Sequence, residues 1–137
     1  MANDTRLLGL WRLIEAKLQF ADSGEVTDLM GPAPDGFLAF MPEGRMLAII
    51  TDTERRVGDT SSRLLTGMLA YSGRYSVEDD RFVTDVDVSW HPGWLQTQQV
   101  RFWEIEGDEL RLTTPYQTRP SAPDREARGI LRWRRER

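Results

Sequence analysis

Acid–base chemistry near neutral pH has one natural candidate in this chain, the single histidine His91. It stands in a Pro-Gly turn between Trp90 and Trp94. In a catalytic interpretation, His91 is a general base at the end of a strand, and the two indoles are walls for a flat apolar ligand. In a structural interpretation, it is a solvated turn residue flanked by core tryptophans. The sequence favours the second interpretation for His91, and it leaves Trp90 and Trp94 as candidates for pocket lining.

Arg101 is the candidate for binding an anion. It lies in a strand-like segment, residues 97–103, in which neither face is purely apolar, so some polar side chains must point inward. A buried arginine needs an acceptor, which a side-chain carboxylate or a ligand carboxylate supplies equally well. An ion pair with a carboxylate such as Glu104 or Asp87 is the favoured alternative, and anion binding is the second.

Two tyrosines share the apolar face of their predicted strand. The hydroxyls of Tyr71 and Tyr75 could reach a bound molecule, because a buried phenol seeks a hydrogen-bond partner, or they could lie at the rim. Tyr71 is also the second weak catalytic candidate, beside His91. The predicted ligand-binding residues are Tyr71, Tyr75, Trp90, Trp94, Arg101, Phe40 and Met46.

A pair of carboxylates, Asp85 and Asp87, would become an acid–base pair if it faced a dry interior, because like charges raise one pKa. The opposite face of the same segment is apolar apart from Thr84. Burial of that apolar face is worth several kcal/mol, so we predict that both aspartates point outward.

Other chemistry finds little support in the sequence. The chain has no cysteine, which excludes disulfides and thiol catalysis, and a single histidine, so a transition-metal site would need carboxylates for nearly all of its ligands. Gly-rich phosphate loops and a nucleophilic serine motif are missing. We therefore predict no metal and no cofactor.

Alternation of apolar and polar residues runs through most of the chain and predicts strands with one buried face. The alternation is clearest in residues 71–77, 82–90, 110–114 and 131–134. Short turns, such as Pro42-Glu43-Gly44, separate neighbouring segments, as in antiparallel hairpins.

The count of such segments is about eight, which is typical of a small up-and-down barrel. A longer loop is predicted at residues 116–125, and a short helix of two to three turns at the mouth, where Leu64, Leu65, Met68 and Leu69 follow Thr60. We predict an all-β fold in one domain, residues 1–137: an eight-stranded antiparallel up-and-down barrel with one short helix.

Motifs along nearly the whole chain match one known family. They are Gly9, Trp11, Arg12 and Leu13; Pro42, Gly44, Arg45 and Met46; Tyr71, Ser72, Gly73, Arg74 and Tyr75; Val88, Ser89, Pro92 and Trp94; Gln99, Arg101, Glu106, Gly107, Asp108, Leu110 and Leu112; and Leu131, Trp133 and Arg134. On these positions the chain resembles the bacterial lipocalin-like domain proteins. The resemblance implies a lipocalin-like barrel with a central apolar cavity and brings no catalytic signature; a histidine common in that family is replaced here by Asp85 or its neighbour.

Charge and hydropathy limit the classes of partner and of compartment that we expect for this protein. With 22 acidic and 18 basic residues, the net charge of −4 disfavours nucleic acid. No apolar run predicts an export signal or a membrane span, and the lack of cysteine fits a reducing compartment, so we expect a cytoplasmic protein. A second subunit could cover the mixed face of residues 97–103, giving a homodimer.

Three functions fit these observations. The first is binding of a small apolar or amphipathic molecule in the barrel cavity. The second is a cofactor-independent enzyme of the isomerase, cyclase or hydratase type, which would use the same cavity. The third is an interaction protein whose interior is filled by its own tryptophans. The aromatic richness of the inner faces favours binding.

Overall fold

The computed structural model describes residues 4–119 and 122–137, without the side chains of Arg119 and Ala122. Ten antiparallel strands form one sheet, and pairing of the first strand with the last closes it. The strands are β1 (Gly9–Phe20), β2 (Val26–Asp28), β3 (Asp35–Phe40), β4 (Arg45–Thr51), β5 (Met68–Glu78), β6 (Arg81–Ser89), β7 (Gln98–Glu106), β8 (Glu109–Thr113), β9 (Gln117–Arg119) and β10 (Ala122–Arg135).

Eight of these strands form the wall of the barrel, which confirms the predicted fold. The remaining two, β2 and β9, are short additions alongside β1 and β10. The loop predicted at residues 116–125 holds β9 and the start of β10 instead, except for Pro120 and Ser121, which lie outside the described residues.

One end of the barrel is closed by the chain before β1. A 3-10 helix, Thr5–Leu7, places the Leu7 side chain in the core, and the indole N–H of Trp11 donates to the Leu7 carbonyl (3.0 Å). The Arg135 guanidinium covers the Trp11 ring at 4.1 Å. The opposite end carries the longer connections, so access to the interior is expected there.

Strand β6 departs from the predicted alternation. Phe82, Thr84 and Val86 are buried as expected, but Val88 is 62% exposed and Trp90 is 44% exposed. The pairing register between β5 and β6 shifts by one residue at Asp87, which is a β-bulge. The bulge moves every later side chain of β6 to the other face, so the prediction that Val88 and Trp90 point inward is wrong.

The helix α1 (Ser61–Thr66) begins after the predicted cap, since the Thr60 hydroxyl accepts from the Arg63 N–H. It is shorter than two turns because Gly67 ends it, and Met68 is the first residue of β5. None of its residues is fully buried. The predicted extension of the helix through Leu69 is therefore wrong, and α1 lies beside the barrel mouth rather than inside it.

Candidate functional site

A cavity of about 50 Å³ lies inside the barrel, toward the end with the long connections. Strands β3 to β5, β7, β8 and β10 provide most of its wall, and β9 together with the connections after β2, β6 and β8 completes it. The lining consists of Leu29, Met30, Leu38, Ala48, Ile50, Leu69, Tyr71, Trp94, Arg101, Leu112, Thr114, Gln117, Leu131 and Trp133. This set is mainly apolar and aromatic, and Arg101 is the one charged member among the described residues.

Arg101 points inward from β7 and is only 7% exposed. Its Nη1 donates to the backbone carbonyl of Val100 (2.8 Å). No carboxylate of the described residues lies within ion-pair distance of it. The favoured ion pair is therefore wrong for this part of the chain: Asp87 pairs with Arg45 on the outer surface (2.7 Å), and Glu104 is exposed.

An aromatic wall stands next to Arg101. The ring centroid of Trp94 lies 5.1 Å from that of Tyr71, with the two planes tilted by 59°. The Arg101 guanidinium carbon lies 6.0 Å from the Trp94 centroid, at the outer limit of a cation–π contact. Trp133, which is almost completely buried in β10, lines the cavity as well, and its indole N–H has no partner among the described residues. A flat apolar group would find contact surface here on more than one side.

Two residues of the β2–β3 connection, Leu29 and Met30, line the cavity at its mouth. Met30 has a φ of 64°, a left-handed conformation that strains a side-chain-bearing residue, and Gly31 follows with 78°. A Cβ at Gly31 would meet the carboxylate of Asp52 at 2.6 Å, so a glycine is required there. The close packing of Gly31 on Asp52 fixes the position of the connection.

Asp52 also joins the β4–α1 segment to the mouth. The backbone N–H of Glu54 and the guanidinium of Arg63 both donate to its carboxylate (2.9 and 2.8 Å). The Glu54 hydrogen bond, and secondarily Arg63, hold the pKa of Asp52 below its usual range against the opposing effect of burial. This ionised carboxylate is a structural anchor behind the cavity wall.

The other polar groups of the lining differ in their availability. The Thr114 hydroxyl accepts from the Gly129 N–H (2.8 Å) and donates to the Pro115 carbonyl (2.9 Å), so its bonds are used within the fold. The side chains of Tyr71 and Gln117 have no hydrogen-bond partner among the described residues, although both line the cavity. The available polar groups of the cavity are thus the Arg101 guanidinium, which can only donate, and the Tyr71 hydroxyl and Gln117 amide, which can donate and accept.

Three predicted ligand-binding residues lie in the core below the cavity rather than in its lining. Phe40, Met46 and Tyr75 are buried, and the Phe40 ring packs edge-on against Tyr75 (5.0 Å) and Phe82 (5.1 Å). The Tyr75 hydroxyl is buried without a hydrogen-bond partner in the described part of the chain, and burial raises the pKa of the phenol. As contacts for a ligand in this cavity, these three remain untested predictions that the geometry does not favour.

Trp90 and His91 lie outside the cavity. The indole N–H of Trp90 donates to the Leu65 carbonyl of α1 (3.1 Å), which ties the helix to β6. His91 is exposed, and its Nδ1 accepts from the Gly93 N–H (3.0 Å) at the start of the 3-10 helix Pro92–Trp94. The imidazole therefore caps the short helix that carries Trp94 into the cavity wall.

The two aspartates of β6 lie on the outer surface, as predicted. Asp85 accepts from the Gln98 amide (2.9 Å), and Asp87 forms a bidentate pair with Arg45, which lowers the pKa of the carboxyl. The face of residues 97–103 exposes Phe102, and its burial in a homodimer stays a prediction.

Sequence reasoning brought together three residues that do meet at the cavity: Tyr71, Trp94 and Arg101. It did not single out the other lining residues, Trp133 and Ala48 among them. Met30 and Gln117 were beyond its reach, because both lie between the barrel strands, where alternation carries no information. The dipeptide Met30-Gly31 beside Pro32 was a turn signal but gave no indication of inward orientation.

Two negative observations apply to residues 4–119 and 122–137. No helix there is long and apolar enough to cross a membrane. No three side chains of the histidine, cysteine, aspartate and glutamate types gather as a metal ion would require.

Comparison with known proteins finds a fungal relative in sequence. Over 75 residues, 49% of this chain and 66% of the relative, the chain is 37% identical to the 4'-hydroxy-3'-methoxypropiophenone carrier protein of Aspergillus oryzae. The chain thus spans just under two thirds of the length of that relative.

Among solved structures, a lipocalin-like protein of Bacteroides uniformis superposes with a TM-score of 0.51 at 19% identity, over 95% of this chain and 98% of the other. That likeness concerns the fold alone. An uncharacterized protein of Bacteroides eggerthii matches with a TM-score of 0.47 at 16% identity, over 95% of this chain and 99% of the other. The family profile of the lipocalin-like domain matches residues 8–136, and the chain belongs to that family.

Proposed function

We propose that this protein binds a small amphipathic molecule non-covalently in the barrel cavity. The observation that carries the proposal is the aromatic wall of Tyr71, Trp94 and Trp133 around an enclosed space that also contains a polar group, Arg101. Concave sites with an apolar lining and a few placed polar groups are typical of small-molecule binding. The apolar body of the ligand would pack on the rings.

The size of the cavity sets the size of the ligand. A volume of about 50 Å³ is smaller than the roughly 150 Å³ apolar cavity that admits benzene. A single aromatic ring therefore enters only if side chains at the mouth rearrange, and we expect Met30 and Trp94 to do so, since both belong to connections rather than to strands.

The fungal relative supports a ligand with a single aromatic ring. Its name specifies a carrier of 4'-hydroxy-3'-methoxypropiophenone, a single-ring aromatic ketone. Transferred to this chain, that name suggests a single-ring or similarly small aromatic ligand and a carrier role. Because the match covers about half of this chain, the ligand class is a proposal and the ligand itself is left open.

Binding is the better proposal than catalysis in the same cavity. Of the two weak catalytic candidates, His91 lies outside the cavity and only Tyr71 lines it. No carboxylate belongs to the lining in the described part of the chain. Product analysis after incubation with any compound that binds would reveal turnover, and loss of that turnover in Tyr71→Phe with binding retained would establish the enzyme alternative instead.

A cavity-filling variant tests the proposal. Ala48 lines the cavity on β4, so Ala48→Leu should occupy the space that a ligand needs, whereas Ala39→Leu on the outward face of β3 is a matched control. We expect saturable changes in tryptophan fluorescence with small aromatic compounds for the wild type and the control, and at least a tenfold weaker response for Ala48→Leu. A response that is equal in all three proteins, or no response to any compound, would refute binding in this cavity.

A further inference from the structure

We infer that the bound molecule carries an anionic oxygen, of a carboxylate or a phenolate, that pairs with the guanidinium of Arg101. The inference rests on the proposed function and specifies the chemical class of its ligand. It goes beyond an apolar cavity, because it requires a charge on the ligand and assigns that charge to one side chain.

Burial of Arg101 without an acidic partner is the first argument. The side chain is more than nine-tenths buried, and an arginine keeps its charge throughout the physiological pH range. Of its five N–H donors, one is used by the Val100 carbonyl, and neither Nε nor Nη2, which are not completely enclosed, bonds to a described residue. Buried charges in proteins are normally paired, because desolvation of a lone ion costs several kcal/mol.

The lining of the cavity is the second argument. It contains the Arg101 guanidinium, the Tyr71 hydroxyl and the Gln117 amide, but no aspartate or glutamate among the residues described. Thr114 directs its hydroxyl bonds to the backbone. Among the described residues the cavity therefore carries one positive charge and no negative charge, which an acceptor with a negative charge complements.

The carboxylates that could compensate Arg101 from nearby elements are engaged elsewhere. Asp52 is held by Arg63 and by the Glu54 N–H behind the cavity wall. Asp87 is held by Arg45 on the outer surface, where the β6 bulge places it. Pairing Arg101 with either of them would require both an existing salt bridge and the local backbone arrangement to be broken.

The aromatic wall determines what must be attached to the anion. Trp94 lies close to both Arg101 and Tyr71, with its ring centroid 6.0 Å from the guanidinium carbon and 5.1 Å from the centroid of the phenol ring. A ligand that satisfies both features has a planar apolar group within a few bonds of its charge. Small aromatic carboxylates and acidic phenols belong to this class.

Matched pairs of ligands provide the test. Binding of 3-phenylpropionate and 3-phenylpropionamide to the full chain is measured by calorimetry and tryptophan fluorescence, and 4-nitrophenol is titrated across its ionisation. We expect the wild type to bind the carboxylate or the phenolate about 30-fold or more tightly than its neutral counterpart, in line with a buried charge pair. The preference should persist at high salt, because buried pairs are screened much less than surface pairs.

Substitutions of Arg101 test whether this residue is the source of the preference for the anion. Arg101→Met should abolish the preference for the anion and leave the neutral compound bound as before, and Arg101→Lys should retain part of the preference. Arg111→Met, on the outward face of β8, is the matched control and should leave the preference unchanged. Because the comparison of the two ligands is made on the wild type, it does not depend on the folding of any variant.

The outcomes separate this inference from the proposed function. Equal binding of anionic and neutral compounds by the wild type would overturn the anion requirement and leave small-molecule binding in place. An anion preference that survives in Arg101→Met would also overturn it. If none of the four forms binds, and other small neutral aromatics fail as well, the proposed function is refuted together with this inference.

Discussion

Removal of the Arg101 charge should stabilise the ligand-free protein. The substitution Arg101→Met keeps most of the aliphatic stem and its contacts but removes the guanidinium. The structure places this guanidinium in the interior with one hydrogen bond and without an ion pair to any described residue. An uncompensated buried charge favours the unfolded state, in which water solvates it fully.

The magnitude follows from three contributions. Desolvation of a buried ion costs several kcal/mol. The bond to the Val100 carbonyl returns about 1.5 to 3 kcal/mol because the donor is charged, and the distant contact with Trp94 returns about 0.5 to 1 kcal/mol. The net expectation is an increase of about 1 to 3 kcal/mol in the free energy of unfolding. For 137 residues the unfolding entropy is about 0.3 kcal/mol per kelvin, so Tm should rise by about 3 to 10 °C.

Urea unfolding and thermal denaturation, followed by circular dichroism without added ligand, measure this change. The outward Arg111→Met should lie within about 0.5 kcal/mol of the wild type, since exposed substitutions have small effects. Saturation with an anionic ligand should reverse the order of stability, because only the wild type gains the pair with that ligand. A loss of more than about 1 kcal/mol for ligand-free Arg101→Met would show that the folded protein compensates this charge, and it would refute the reasoning.

Substitutions at three further residues test other parts of the structure. Tyr75→Phe removes a buried hydroxyl that has no partner among the described residues, and it should raise the free energy of unfolding by about 1 kcal/mol. Because burial raises the pKa of Tyr75, the wild type should also lose stability as the pH rises above about 10, and the variant should lose less. Asp52→Asn should lower the free energy of unfolding by about 1 to 3 kcal/mol at neutral pH, because it weakens the bond to Arg63. Since the pKa of Asp52 is lowered in the folded protein, acid unfolding curves should show this difference vanish as the pH falls below the ordinary value of 3.8. His91→Ala removes the acceptor for the Gly93 N–H, so it should lower the free energy of unfolding by about 0.5 to 1 kcal/mol and alter tryptophan fluorescence. His91→Asn should keep the wild-type stability and fluorescence, and identical effects of the two variants would contradict the capping role.

Most of the fold could be predicted from the sequence because alternation identifies a strand that has one buried face. The first half of β6 follows the rule, with Phe82, Thr84 and Val86 buried. The second half fails at the bulge, and the local sequence does not reveal it. The cause is tertiary: Arg45 of β4 binds Asp87 and the Ser72 hydroxyl, and a side chain at Gly73 would clash with the Asp85 carbonyl. Contacts with a neighbouring strand thus decide where β6 changes face.

The candidate site could be predicted only in part, for a related reason. Residue type and strand parity suffice for Tyr71, which lies on the apolar face of its strand, whereas Arg101 was indicated by its residue type alone, because neither face of residues 97–103 is purely apolar. Met30 reaches the cavity through a left-handed backbone conformation that its own type disfavours, and packing of the next residue on Asp52 imposes it. Trp90 and Trp94 look equivalent in the sequence, yet the bulge sends one to α1 and the turn sends the other into the cavity.

His91 illustrates how a residue that attracts a catalytic interpretation can contribute to a binding site indirectly. Its imidazole does not face the cavity, but it is the cap of the 3-10 helix that ends at Trp94. Trp94 in turn is the aromatic residue that lies close to both Tyr71 and the charge of Arg101. A change at His91 should therefore affect ligand affinity through the position of Trp94, with the preference for an anion unchanged, whereas a change at Arg101 should affect the preference itself. We expect the two kinds of substitution to act on separate properties of the proposed site, so that affinity and charge selectivity vary independently.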